Sequence, residues 1–193
     1  MWLAGSFALV MLAIAGYCVG RLVVARRTGR PSARDVDVVH VGMGVAMAGM
    51  LVPSVNPLAG HTWQLGWTIF FGLAVCWFGA RLFIALAEGG KAGPAPAHLI
   101  SSGAMLYMMW PGSAAMSSMS MPGMAMGGSV STPVLTLLLL GLLGGFAVLA
   151  TDRVLRPVAA VAGGPSAPLA PRLADCCHIA MSVTMGYMLL LML

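Results

Sequence analysis

Six apolar stretches alternate with short polar or turn-rich breaks along the chain, and their lengths predict six membrane-crossing helices. The first covers residues 2–24, has no basic residue ahead of it, and carries Arg21, Arg26, Arg27, Arg30 and Arg34 at and behind its far end. That charge order predicts a permanent helix with its N-terminus outward, since a cleaved signal peptide carries positive charge first. Gly16 and Gly20 within it form a small-xxx-small pair suited to close helix packing. The second stretch, about 36–56, is ended by Pro53 and Pro57, and the third spans about 65–87. After the turn-rich link 89–96, His98 opens a shorter fourth stretch that closes at Trp110-Pro111-Gly112. The fifth runs over about 132–151, and a Pro/Ala/Gly loop at 156–173 leads to the sixth.

Polar residues inside the even-numbered stretches follow one ruler. Asp37, His40, Met43, Met47 and Met50 in the second have the spacing of Asp175, His178, Met181, Met185 and Met188 in the sixth. The fourth repeats it imperfectly as Ala95, His98, Ser101, Met105 and Met108. On a helix turning about 100° per residue, a His and its three following positions share a face roughly 80° wide and about 15 Å long. Small residues recur beside each stripe: Gly44, Ser102 and Ser182 four after the His, then Ala46, Ala104 and Thr184 six after. Nine after, two copies have Tyr107 and Tyr187 and one has Gly49. Small flanks let helices approach closely. The expected fold is an all-α integral membrane protein, one membrane domain of three pseudo-repeated hairpins at about 1–56, 62–112 and 131–193. The even-numbered helices would form a pseudo-threefold bundle lined by His and Met.

Composition and charge agree with a membrane chain and orient it. Of 193 residues, 60% are hydrophobic and 8% charged, too apolar for an ordinary soluble domain. All ten Lys and Arg and all five Asp and Glu lie in or beside the loops joining spans 1–2, 3–4 and 5–6. The positive-inside rule makes those loops cytoplasmic and puts both termini outside a plasma membrane. Trp2, Trp63, Trp67 and Trp110 would gather at the outer interface. The arginines flank apolar spans and share no folded basic face, which excludes a nucleic-acid surface. Cys18, Cys76, Cys176 and Cys177 sit in or at the edge of apolar stretches, which argues against a disulfide framework and for packing roles.

Methionine, with 17 residues, carries the candidate chemistry. A single Met stripe ordinarily means packing. Three aligned stripes and the segment 113–130, with Met116, Met119, Met121, Met124 and Met126 among Ser, Gly and Pro, point instead to ligands. Thioethers are neutral, soft donors that select Cu(I) or Ag(I). A histidine inside a span is costly unless it is partnered or lines a polar path. Asp37 and Asp175, one turn ahead of their histidines, suit helix N-capping or the orientation of the imidazole ring. Cys176 and Cys177, beside His178, are candidate acceptors at the inner mouth. His61, near Trp63, suits an interfacial position.

This ladder resembles the CTR copper transporters, homotrimers whose second helix carries a Met-x3-Met motif that stacks methionine triads in a pore. Met43-x3-Met47 and Met181-x3-Met185 match that spacing, while the third copy has Ser101 in place of the first Met. The resemblance makes Met116 to Met126 the external capture segment and Cys176-Cys177-His178 the inner end. It covers the even helices and one loop, well under half of a chain with six spans in one polypeptide instead of three spans in each of three chains, so it implies shared chemical logic reached by convergence. The whole chain also looks like a group of small actinobacterial membrane proteins of unknown function. The expected function is Cu(I) binding and passive import through the ladder, with no enzymatic activity, since no nucleophile–base pair or carboxylate dyad shares a face. No ATP-binding Gly-Lys-Ser/Thr loop occurs either. Expected partners are the lipid bilayer, the copper ion and a periplasmic or extracellular cuproprotein. Two alternatives compete: a haem-binding electron-transfer protein using paired His or His and Met, and an accessory subunit of a larger membrane complex.

Overall fold

The computed structural model describes residues 2–28, 34–52, 60–90, 93–109, 131–155 and 171–191. Within them lie six α-helices: α1 (Trp2–Thr28), α2 (Arg34–Leu51), α3 (His61–Ala87), α4 (Ala95–Met109), α5 (Ser131–Leu155) and α6 (Pro171–Leu190). Each expected span is a helix, although the bounds differ. The first helix continues to Thr28, the third begins at His61, and the fourth begins at Ala95, three residues before His98. Pro94 and Pro96 flank that start, where a missing backbone N–H costs a helix nothing. The Met-rich segment 113–130 and the loop 156–170 lie outside the described residues.

Odd and even helices differ in what they bury. The odd ones include stretches long and apolar enough to cross a membrane: Trp2–Thr28, His61–Ala87 and Pro133–Asp152. They leave Leu9, Val19, Leu73, Trp77, Phe83, Leu138 and Val148 exposed, the surface that hydrocarbon would cover. The even helices bury small residues and methionines, including Gly42, Gly44, Ala46, Ser102, Ala104, Ser182 and Thr184. Each odd helix also has two buried residues seven apart, followed three positions later by an arginine. These are Met11 and Cys18 before Arg21, Phe71 and Phe78 before Arg81, and Leu143 and Ala150 before Arg153.

The chain divides into two compact units, Met1–Val52 with Gly144–Thr184 and Pro53–Leu143 with Met185–Leu193. In the first, α1 and α2 pack antiparallel: Arg21 meets Asp37, and about two turns along Ala15 and Met11 meet Gly44. A Cβ on Gly44 would stand 2.9 Å from the Met11 carbonyl oxygen and 3.1 Å from the Ala15 Cβ. Only glycine lets the two helices come this close.

In the second unit α3 and α4 form the corresponding antiparallel pair. Phe78 packs on His98 near one end, and near the other the Gln64 side chain donates to the Met109 carbonyl at 3.2 Å, satisfying an acceptor at the end of α4. Helix α3 stops in a Schellman motif. Gly89, at φ 64°, donates to the Leu86 carbonyl, and Gly90 donates to Ala85. The Tyr107 and Thr136 hydroxyls, 3.1 Å apart, tie α4 to the start of α5. A Cβ on Gly186 in α6 would lie 3.4 Å from Leu140, so α6 also touches α5 in this unit.

Candidate metal centre

The α1–α2 hairpin sets two short helical faces against each other. Asp37 and His40 are three residues apart on α2, and Cys18 and Arg21 three apart on α1, so each pair shares a face. Antiparallel packing brings the four together. The Arg21 Nε lies 3.6 Å from the Asp37 Oδ1. One donor atom each from Cys18, Asp37 and His40 lies within 4.8 Å of the others, and all three residues are buried. From α6, His178 brings its ring to 6.3 Å from that of His40, tilted by 58°. Cys177, also buried, lies within electrostatic range of Arg21 and Asp37, whereas Cys176 is exposed. Successive residues on a helix cannot face the same way, which separates the two cysteines.

Thiol, imidazole and carboxylate are a metal-ligand set. Around one ion with bonds of about 2.0–2.3 Å, donor atoms stand roughly 3.3–4 Å apart, so contraction by about an ångström would close the cluster. Two imidazoles sharing an ion have ring centres about 5–6 Å apart, close to the His40–His178 separation. The Asp37 carboxylate adds a further argument. The residue is 1% exposed, and its Oδ2 has no hydrogen-bond partner among the described residues. Burying a charged oxygen without a partner costs at least ~1–3 kcal/mol, which a cation would relieve. A thiolate–imidazole set favours soft or borderline ions such as Cu(I) and Zn(II).

Other residues singled out from the sequence fall as follows. Met43, Met47, Met105, Met108, Met181, Met185 and Met188 are buried, Met50 is half-buried, and His98 is buried in the second unit. The Phe78 ring lies 5.2 Å from that of His98, tilted by 38°, whereas Cys18 stands near His40. Asp175 is half-buried in α6. Met116, Met119, Met121, Met124 and Met126 lie outside the described residues.

Two expectations change. Asp37 is not an N-cap: it lies inside the first turn of α2, where its carboxylate reaches Arg21 and the Cys18–His40 cluster. Arg21 is more than a flanking charge, since it pairs with Asp37, whereas Cys18 is buried as a packing residue would be, with its ligand atom also within 4.8 Å of those of Asp37 and His40. The signal for both was their three-residue spacing on α1, matching that of Asp37 and His40 on α2.

No curated protein and no solved structure matches the chain, so no likeness to the CTR transporters is found beyond the motif spacing. A family model does match, over residues 32–192, which take in α2 to α6 and leave α1, with Cys18 and Arg21, ahead of the matched segment. The chain therefore belongs to the family described as domain of unknown function DUF5134.

Proposed function

We propose that this protein binds Cu(I) and passes it inward across the plasma membrane. In this reading all six helices cross the bilayer as three repeated hairpins with both termini outside, and the even-numbered helices line the path. The odd helices support the repeat through their shared register of two buried positions and a following arginine. Met116 to Met126 capture the ion outside. Methionine levels at 47, 105 and 185 and at 50, 108 and 188, with Met43 and Met181 below, hand it on by thioether exchange. His40, His98 and His178, with Cys177, receive it at the inner end, and Cys176 lies beside the exit. The Met-x3-Met spacing, the external Met-rich segment and the inner His/Cys end are the features that resemble the CTR transporters.

The observation that carries the reading is the meeting of two stripes: His40 and His178, 6.3 Å apart ring to ring, beside the buried Cys18 thiol and Asp37 carboxylate. Packing alone gives no reason for two imidazoles, a thiol and a carboxylate to gather among buried methionines. The reading is tested by anaerobic Cu(I) titration of the purified full chain and of a Met47/Met105/Met185→Leu triple variant. Fewer Cu(I) equivalents bound by the variant are expected. Equal binding by both proteins removes the ladder, and no Cu(I) binding by either removes the function.

A further inference from the structure

We propose that Cys18, Asp37 and His40 bind one singly charged soft cation, and that Arg21 sets the preference for single over double charge. The proposal rests on the Cu(I) reading and deepens it by naming a thiolate site that the methionine ladder does not contain, with a residue that sets its selectivity.

Charge carries the argument. As the metal–sulfur bond forms, the Cys18 thiol loses its proton to water, leaving a thiolate beside the Asp37 carboxylate. The Arg21 guanidinium, 3.6 Å from that carboxylate, cancels one of the two negative charges, while His40 coordinates as a neutral imidazole. The site then carries one net negative charge. A monovalent cation makes it neutral, whereas a divalent one leaves an uncompensated positive charge in a buried, low-dielectric place. Asp35 also acts electrostatically on Asp37, but less strongly than Arg21 does, and it is only half-buried in the first turn of α2.

The donor geometry agrees with a soft ion. Three buried donors lie within 4.8 Å of one another, and the Asp37 Oδ2 is buried with no hydrogen-bond partner among the described residues. Thiolate and imidazole suit Cu(I), which accepts two or three ligands and needs no complete octahedral shell. The other two hairpins lack the thiol. Phe78 and Ala150 stand where α1 has Cys18, in the same register ahead of Arg81 and Arg153. One such site per chain follows.

The test uses the purified full chain under anaerobic conditions, with Cu(I) against a competing chelator and Co(II) as the divalent probe, its thiolate-to-metal absorption reporting sulfur ligation. Wild type is expected to bind one thiolate-dependent Cu(I), and Cys18→Ser to weaken that equivalent by roughly tenfold or more. Arg21→Gln is expected to raise the Co(II)-to-Cu(I) affinity ratio by about tenfold or more, and Arg21→Lys, which keeps the charge, to leave it near wild type. Unchanged Cu(I) binding in Cys18→Ser overturns the site. An unchanged ratio in Arg21→Gln, or an equal shift in Arg21→Lys, overturns the selectivity role. Loss of Cu(I) in the methionine triple variant but not in Cys18→Ser sinks this proposal and leaves the ladder standing. Failure of wild type to bind Cu(I) at all sinks both.

Discussion

His40 and His98 occupy the same place in the His-Met ruler, yet their surroundings differ in kind. Around His40, α1 presents Cys18 and Arg21 and α2 contributes Asp37. Around His98, α3 presents Phe78 at 5.2 Å and α4 has Ala95 where the carboxylate would be. One hairpin scaffold thus holds one histidine by ionisable donors and the other by aromatic packing. The ruler on the even helices sets where a histidine sits. The facing residue on the odd helix decides whether that histidine has metal-type donors around it. The two hairpins also differ one turn further on, where α2 needs Gly44 against α1 while α4 carries a side chain, that of Ser102, at the corresponding position.

The largest effect that separates the regions should come from the facing residues. Cys18→Ser should lose the thiolate-dependent Cu(I) equivalent, whereas Phe78→Leu should keep it and cost about 1 kcal/mol of stability through looser packing. Chelator competition and a thermal melt in the same detergent check both arms. Next in size is the ion pair. Asp37→Ala leaves Arg21 without the carboxylate and should destabilise the first unit by about 2–4 kcal/mol. An Arg21→Met/Asp37→Leu double variant should recover most of that while binding the thiolate-dependent Cu(I) equivalent more weakly, which melting curves and Cu(I) titration together would reveal.

Glycine substitutions sharpen the packing contrast. Gly44→Ala forces a methyl to 2.9 Å from backbone and should cost about 1–3 kcal/mol. Gly103→Ala meets nothing within 4 Å and should stabilise α4 by about 0.5–1 kcal/mol. Comparable melting shifts of the same sign would erase the difference. A similarly small effect is expected of Tyr107→Phe, which removes the hydroxyl contact to Thr136 and should cost about 1 kcal/mol, with no change in Cu(I) affinity.

Six helices could be read from the chain because long apolar runs and their polar breaks are local properties. The stripe from Asp37 to Met50 could be read for the same reason, as helical spacing alone puts its members on one face. Cys18 was not legible as a site residue. A single cysteine in an apolar run has no period of its own, and it acquires meaning only when α1 folds back on α2. Arg21 was hidden by a rule that works: basic residues at the end of a span ordinarily mark the cytoplasmic side, and nothing local distinguishes one that turns inward to a carboxylate. Asp37 was open to an N-cap reading because α2 starts three residues earlier, at Arg34, and helix starts are poorly fixed by sequence. Cys18 and Arg21 share one cause, contact between helices, which no window along the chain contains.

The central claim is that the chain carries Cu(I) across a bilayer along its histidines and methionines. Anaerobic Cu(I) uptake into proteoliposomes containing wild type or the Met47/Met105/Met185→Leu variant tests it most directly. The account predicts saturable uptake above that of empty liposomes by wild type, inhibited by Ag(I) and reduced at least about tenfold in the variant. Uptake by wild type no faster than by empty liposomes, or equal uptake by the two proteins, would contradict it.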